Sequence, residues 1–185
     1  MTTAPAAGGY RPFMTMKKTV LTFGLLSGAV SSAMMLATLP FMDRIGFDRG
    51  VIFGYTAIVL SFLLVFFGIR AYREQSGGAI TFGRGFTVGI LITLISCVFY
   101  VATWEIIYFK VHPEFAEKYT AYAMEKARAS GATPEALEQK RRELAGFKEM
   151  YDNPLINAAF TFVEPFPVGL LVTAISAAVL RKKRP

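Results

Sequence analysis

Glu164 is the residue best placed to do chemistry, because of what surrounds it. It heads the stretch Glu164-Pro165-Phe166-Pro167, inside an apolar run at 155–180 that carries no other formal charge. A carboxyl group in such a run can hold a proton, accept hydrogen bonds or bind a cation. It is costly there unless it faces a bundle interior, a cavity or a partner. Pro165 and Pro167 lack the N–H groups that an unbroken helix would offer to the carbonyls of Thr161 and Val163. The helix should kink or break at this point, leaving carbonyls to be satisfied by neighbouring helices or water. A break would put Glu164 at the start of a half-helix. The helix dipole and desolvation then pull its charge state in opposite directions, and the sequence leaves that state open.

Asn157 and Thr161 share a helix face with Glu164, at spacings i, i+4 and i+7. Three readings fit this face. The first is a packing kink whose polar groups hydrogen-bond across helices. The second is a proton-coupled or ligand site, and the third a protein-docking site. Glu105 is a further candidate. It lies between Trp104 and Tyr108, residues that favour a membrane interface, so a snorkelling or water-exposed acid is expected there.

Other chemistry finds little support. His112 is the sole histidine, just before Pro113, with no companions spaced for a triad or a zinc site. Cys97, between apolar neighbours, reads as a small buried residue, and a single cysteine excludes an intramolecular disulfide. The glycine-rich stretch 79–85 follows no strand and lacks P-loop spacing, so it reads as a tight turn. No catalytic, cofactor-binding or metal-ligating residue is assigned, and no cofactor is expected.

The elements that must position Glu164 are apolar helices. The 185 residues are 54% hydrophobic, with a mean hydropathy of +0.43. The informative feature is that the apolar residues fall in long, nearly uncharged runs. We expect an all-α, integral membrane four-helix bundle with spans at about 19–39, 51–69, 86–109 and 155–180. A span takes roughly 20 apolar residues. The expected organisation is a disordered, Ala/Gly/Pro-rich extension at 1–16 and a single membrane domain at 17–185. The first run has a rival reading as a cleaved secretory signal, but its length favours a retained span. Within it, Gly24, Gly28 and Ser32 form a small-residue step that lets helices approach closely. In the third span, Thr93, Ser96, Tyr100 and Thr103 share one face and should meet other helices.

The segment 110–153 is polar, with eight basic and eight acidic residues. It should form an extramembrane helical hairpin at about 113–129 and 134–151, broken at Ser130-Gly131. Phe115, Tyr119 and Tyr122 stripe the first helix, and Leu137, Leu144, Phe147 and Tyr151 the second. Glu114–Lys118 and Glu138–Arg142 are i, i+4 pairs of a solvated face.

Net charge +7 and an isoelectric point near 9.6 could suit a nucleic-acid binder. The basic residues instead cluster at span ends, as the positive-inside rule expects, so no nucleic-acid partner is expected. Their distribution puts both termini in the cytoplasm of a cell inner (plasma) membrane and the hairpin outside. Glu164 would then lie about ten residues, roughly 15 Å at 1.5 Å per residue, below the outer surface.

Several segments together resemble one bacterial family. They are the stretch from Gly78 through Phe82-Gly83-Arg84-Gly85-Phe86 to Gly89, then Tyr151-Asp152-Asn153-Pro154, and Phe162-Val163-Glu164-Pro165-Phe166-Pro167-Val168-Gly169 with Ile175-Ser176-Ala177. The chain from Lys17 to Lys183 resembles the domain-of-unknown-function family numbered 4199 (DUF4199), small four-span membrane proteins without an assigned activity. The resemblance implies the architecture and adds no catalytic residue.

Two function classes follow. The first is a non-enzymatic scaffold or accessory protein of the bilayer, with the hairpin contacting a membrane-protein partner. The alternative is a small, oligomeric transporter or proton-coupled channel, with Glu164 in an outward-facing cavity.

Overall fold

The computed structural model describes residues 15–182, and most of the expected 1–16 extension lies outside them. The helices are α1 (Met16–Thr38), a short α2 (Met42–Ile45), α3 (Phe47–Gln75), α4 (Phe82–Ile106), α5 (Phe115–Ala129), α6 (Pro134–Tyr151), α7 (Pro154–Val163) and α8 (Phe166–Leu180). Four helical segments are long and apolar enough to cross a membrane: Met16–Phe41, Phe47–Gln75, Phe82–Val111 and Pro154–Leu180. Each expected span is present, and every boundary except the last, at Leu180, moves outward. Thr15 accepts from the Lys18 N–H, so α1 starts at Met16, and the last residue of the expected extension belongs to the helix with Thr15 as its cap. Thr81 caps α4 in the same way through Arg84.

The link between the first two spans, residues 41–50, is mostly helical. Pro40 sits in a 3-10 turn, Leu39–Phe41, followed by α2. Gly46, at φ 76°, then swivels the chain, and α3 begins at once with Asp48 in its first turn. Asp48 and Arg49 therefore belong to a helix.

In the bundle, α3 and α4 each pack against both α1 and α8. Phe62, Val65, Ile69, Val88 and Ile92 form its buried centre. The outward faces are also apolar: Leu155 is 83% exposed and Val179 69%. Apolar outer faces of this kind are the pattern of a membrane-spanning bundle.

The glycine step of α1 is used inside the chain. A Cβ on Gly28 would come within 2.6 Å of Phe99, and one on Gly24 within 2.9 Å of Ile95, so both let α1 close on α4. That face is thereby occupied by α4. Across the same seam, Ser27 donates to the Ser61 carbonyl at 2.9 Å and lies 3.0 Å from the Ser96 hydroxyl. Ser27 has one proton and spends it on Ser61, so Ser96 donates to Ser27. Thr93 meets Thr173 at 3.0 Å and Thr103 meets Ser32 at 2.7 Å. With Tyr100 described below, the expected polar face of α4 does meet other helices.

The termini end is tied by a two-bond bridge between Ile80 and Lys182 and by Arg73, which donates to the Leu180 carbonyl at 3.3 Å. The hairpin of α5 and α6 closes the opposite end. Its break is Gly131 at φ 79°, and Thr133 caps α6 through Ala136. α5 starts at Phe115, two residues after Pro113, because the His112 to Glu114 segment forms a turn. Glu114–Lys118 and Glu138–Arg142 are paired as expected, at 3.7 and 3.6 Å.

A candidate ligand cavity beneath the hairpin

The fourth span breaks where the prolines stand. α7 ends at Val163, Glu164 and Pro165 form a turn, and α8 resumes at Phe166. Both turn residues keep right-handed helical dihedrals, so the interruption removes hydrogen bonds without reversing the chain. Pro165 is fully buried, whereas Pro167 is exposed. The turn leaves the Glu164 carboxylate on the wall of a cavity of about 450 Å³. Tyr100 of α4 donates to Glu164 Oε2 at 3.1 Å. Among the described residues Glu164 forms no ion pair.

Three other groups of residues complete the cavity. Tyr100, Trp104 and Tyr108 recur every four residues along one face of α4 and its π-helical end, Ile107–Val111. The end of α1 and the start of α3 contribute Thr38 and Phe47. The hairpin roofs the space with Phe115, Tyr119, Leu144, Phe147 and Tyr151.

Asn157 and Thr161 hold the roof to the broken span. Both are buried on the face shared with Glu164. Trp104 Nε1 donates to the Tyr151 hydroxyl at 3.0 Å, and that hydroxyl lies 3.3 Å from Thr161 Oγ1. Thr161 donates its proton to Asn157 Oδ1 at 3.2 Å, so Tyr151 must be the donor to Thr161. Asn157 Nδ2 closes the circuit on the Tyr151 carbonyl at 3.2 Å. Asn153, the cap of α7, accepts from the N–H groups of Leu155 and Ile156, which fixes the turn between α6 and α7.

At the rim, Tyr108 donates to Asp152 Oδ1 at 2.7 Å and Lys148 to Oδ2 at 2.8 Å. Lys148, then Tyr108, hold the Asp152 carboxyl below its ordinary 3.8. Asp152 in turn raises the Lys148 ammonium above 10.5. A depressed carboxyl contributes its stability above 3.8 and loses it as pH falls through the lower folded value. A raised ammonium contributes below 10.5 and loses it as pH rises through the folded value. Near-ultraviolet circular dichroism should therefore show the aromatic signal weakening below about pH 3.8. Asp152→Asn should flatten that step, and an unchanged acid transition in this variant would refute the assignment.

A second tie joins α5 to α3. Phe47 packs its ring on Phe115, Tyr119 and Tyr122, with centroids 5.6, 5.4 and 5.1 Å away. Beside it Lys126 pairs with both oxygens of Asp48, at 2.7 and 2.8 Å.

The structure thus brings Glu164, Pro165, Asn157 and Thr161 together at the cavity and its supports. Glu105 is apart: it does not line the cavity, and it is half-buried with Oε1 lacking a hydrogen-bond partner. His112 forms a local pair with Glu114 at 3.1 Å, and Cys97 is buried. Among the described residues no group of three or more His, Cys, Asp or Glu could hold a metal ion. The wall residues Phe47, Tyr100, Trp104, Tyr108 and Tyr151 were not singled out as a site from sequence. The available signal was the four-residue aromatic repeat on α4, which a membrane-interface belt explains equally well.

Helices long enough to span a bilayer, one of them broken at an acid, with a hairpin over the break, define a small helical bundle of membrane type. The chain belongs to the family described as Protein of unknown function (DUF4199), whose model matches residues 22–182. No curated protein and no solved structure matches it.

Proposed function

We propose that this chain is a multi-pass membrane protein that binds a ligand in the cavity beneath the hairpin, without catalysing a reaction. The observation that carries this reading is the position of Glu164. The one formal charge of the fourth span lies on the wall of a 450 Å³ cavity, with a tyrosine hydroxyl as partner and no cation beside it among the described residues. A mostly apolar pocket with a few converging polar groups is the usual form of a small-molecule site. The same arrangement shifts the balance away from the scaffold reading, because the aromatic stripes of the hairpin turn inward on the cavity. Basic residues at the termini end support cytoplasmic termini in a plasma membrane, with the cavity opening on the outer side.

The reading requires water to reach the cavity while lipid covers the bundle's outer faces. In a Cys97→Ala background, Thr38→Cys and Tyr100→Cys should react with a membrane-impermeant thiol reagent. Val98→Cys and Val163→Cys, which replace residues 61% and 63% exposed on the outer faces, should stay unlabelled in vesicles. Silence at both cavity positions would sink the proposal.

A further inference from the structure

We propose that the cavity takes an organic monocation with an apolar body, of the quaternary ammonium or phosphonium type. This rests on the cavity being a ligand site. Three polar tips on the wall are already committed. Trp104 N–H goes to Tyr151, the Tyr108 hydroxyl to Asp152, and the Tyr100 hydroxyl to Glu164 Oε2. What remains for a guest is ring surface, the Tyr119 hydroxyl and Glu164 Oε1, which accepts no hydrogen bond among the described residues. Aromatic faces attract cations, above all those whose charge is spread and weakly hydrated. Glu164 supplies the balancing charge.

Other guests fit less well. An anion would meet the Glu164 carboxylate, and Lys148, the basic residue of the wall, already pairs with Asp152 at 2.8 Å. A neutral hydrocarbon chain would press against a carboxylate and leave Oε1 without a partner, which costs free energy. An apolar monocation satisfies the rings and the acid together.

Trp104 is the only tryptophan, so its emission reports on this wall. Full-length protein in nanodiscs of uncharged lipid is titrated with tetraphenylphosphonium and with tetraphenylborate, ions of matched shape and opposite charge. The phosphonium should change Trp104 emission saturably and the borate should not. Glu164→Gln should raise the phosphonium half-saturation roughly tenfold or more, and Tyr119→Leu several-fold. Tyr119 is on the hairpin and 42% exposed, so this second variant tests the site even if the first fails to fold. Equal responses to both ions overturn the cation assignment while leaving the cavity a ligand site. A response to neither ion, in protein that labels at Tyr100→Cys, overturns the assignment without touching the cavity's openness. A phosphonium response unchanged in properly folded Glu164→Gln and Tyr119→Leu also overturns it, since the cation then binds elsewhere.

Discussion

Asn157→Leu is expected to destabilise the folded protein by about 2–6 kcal/mol. Leucine is larger than asparagine, so no cavity opens at this fully buried site, and overpacking adds to the loss of hydrogen bonds. The substitution strips the acceptor from the Thr161 hydroxyl and the donor from the Tyr151 carbonyl. Each group left buried and unpaired costs about 1–3 kcal/mol. The damage should also spread along the chain of donors, because Thr161 no longer fixes the Tyr151 hydroxyl that accepts from Trp104. Thermal unfolding in detergent, followed by Trp104 emission, should show a lower midpoint and a red-shifted folded baseline. A wild-type midpoint would mean that the circuit does not support the fold.

Phe47→Ala is the second large effect, and it should be local. Three ring contacts tie the start of α3 to α5. Aromatic pairs contribute about 0.5–1.5 kcal/mol each beyond the area they bury, so the clasp is worth about 2–4 kcal/mol. The neighbouring Lys126–Asp48 pair is exposed and cannot hold the hairpin alone. Amide exchange should accelerate through Phe115–Ala129, while the interior of Phe82–Ile106 stays protected. Equal acceleration in both would show that the hairpin and the bundle open as one unit.

The parts of this structure legible in the sequence are those fixed by local rules. Hydropathy located the four spans because each run is long and nearly uncharged. Pro165 and Pro167 announced the break, since a missing N–H acts whatever the tertiary context. The spacing of Asn157, Thr161 and Glu164 placed them on one face, and Ser130-Gly131 marked the break of the hairpin. What stayed hidden depends on how distant segments fold back. Tyr151 is six residues from Asn157 in sequence, but its contact with Trp104 spans 47 residues, and that of Tyr100 with Glu164 spans 64. No periodicity encodes such pairings. Trp104 and Tyr108 were ambiguous for a physical reason, because an interface belt and the wall of a cavity put aromatic rings at the same depth. The fold covers one of the Glu105 oxygens, which its sequence neighbours do not signal. The step Gly24–Gly28 signalled a close helix contact correctly but could not say with which helix, and the partner is α4 of the same chain.

The functional account depends on the space beside Glu164 being an aqueous compartment and not a groove filled by lipid. Trp104, the sole tryptophan, stands on its wall. The most direct measurement compares quenching of its emission by acrylamide from water and by brominated acyl chains from the bilayer, in reconstituted protein. The account predicts strong acrylamide quenching, stronger still in Phe47→Ala, with weak quenching by the brominated lipid. Strong quenching by the lipid together with indifference to acrylamide would contradict it.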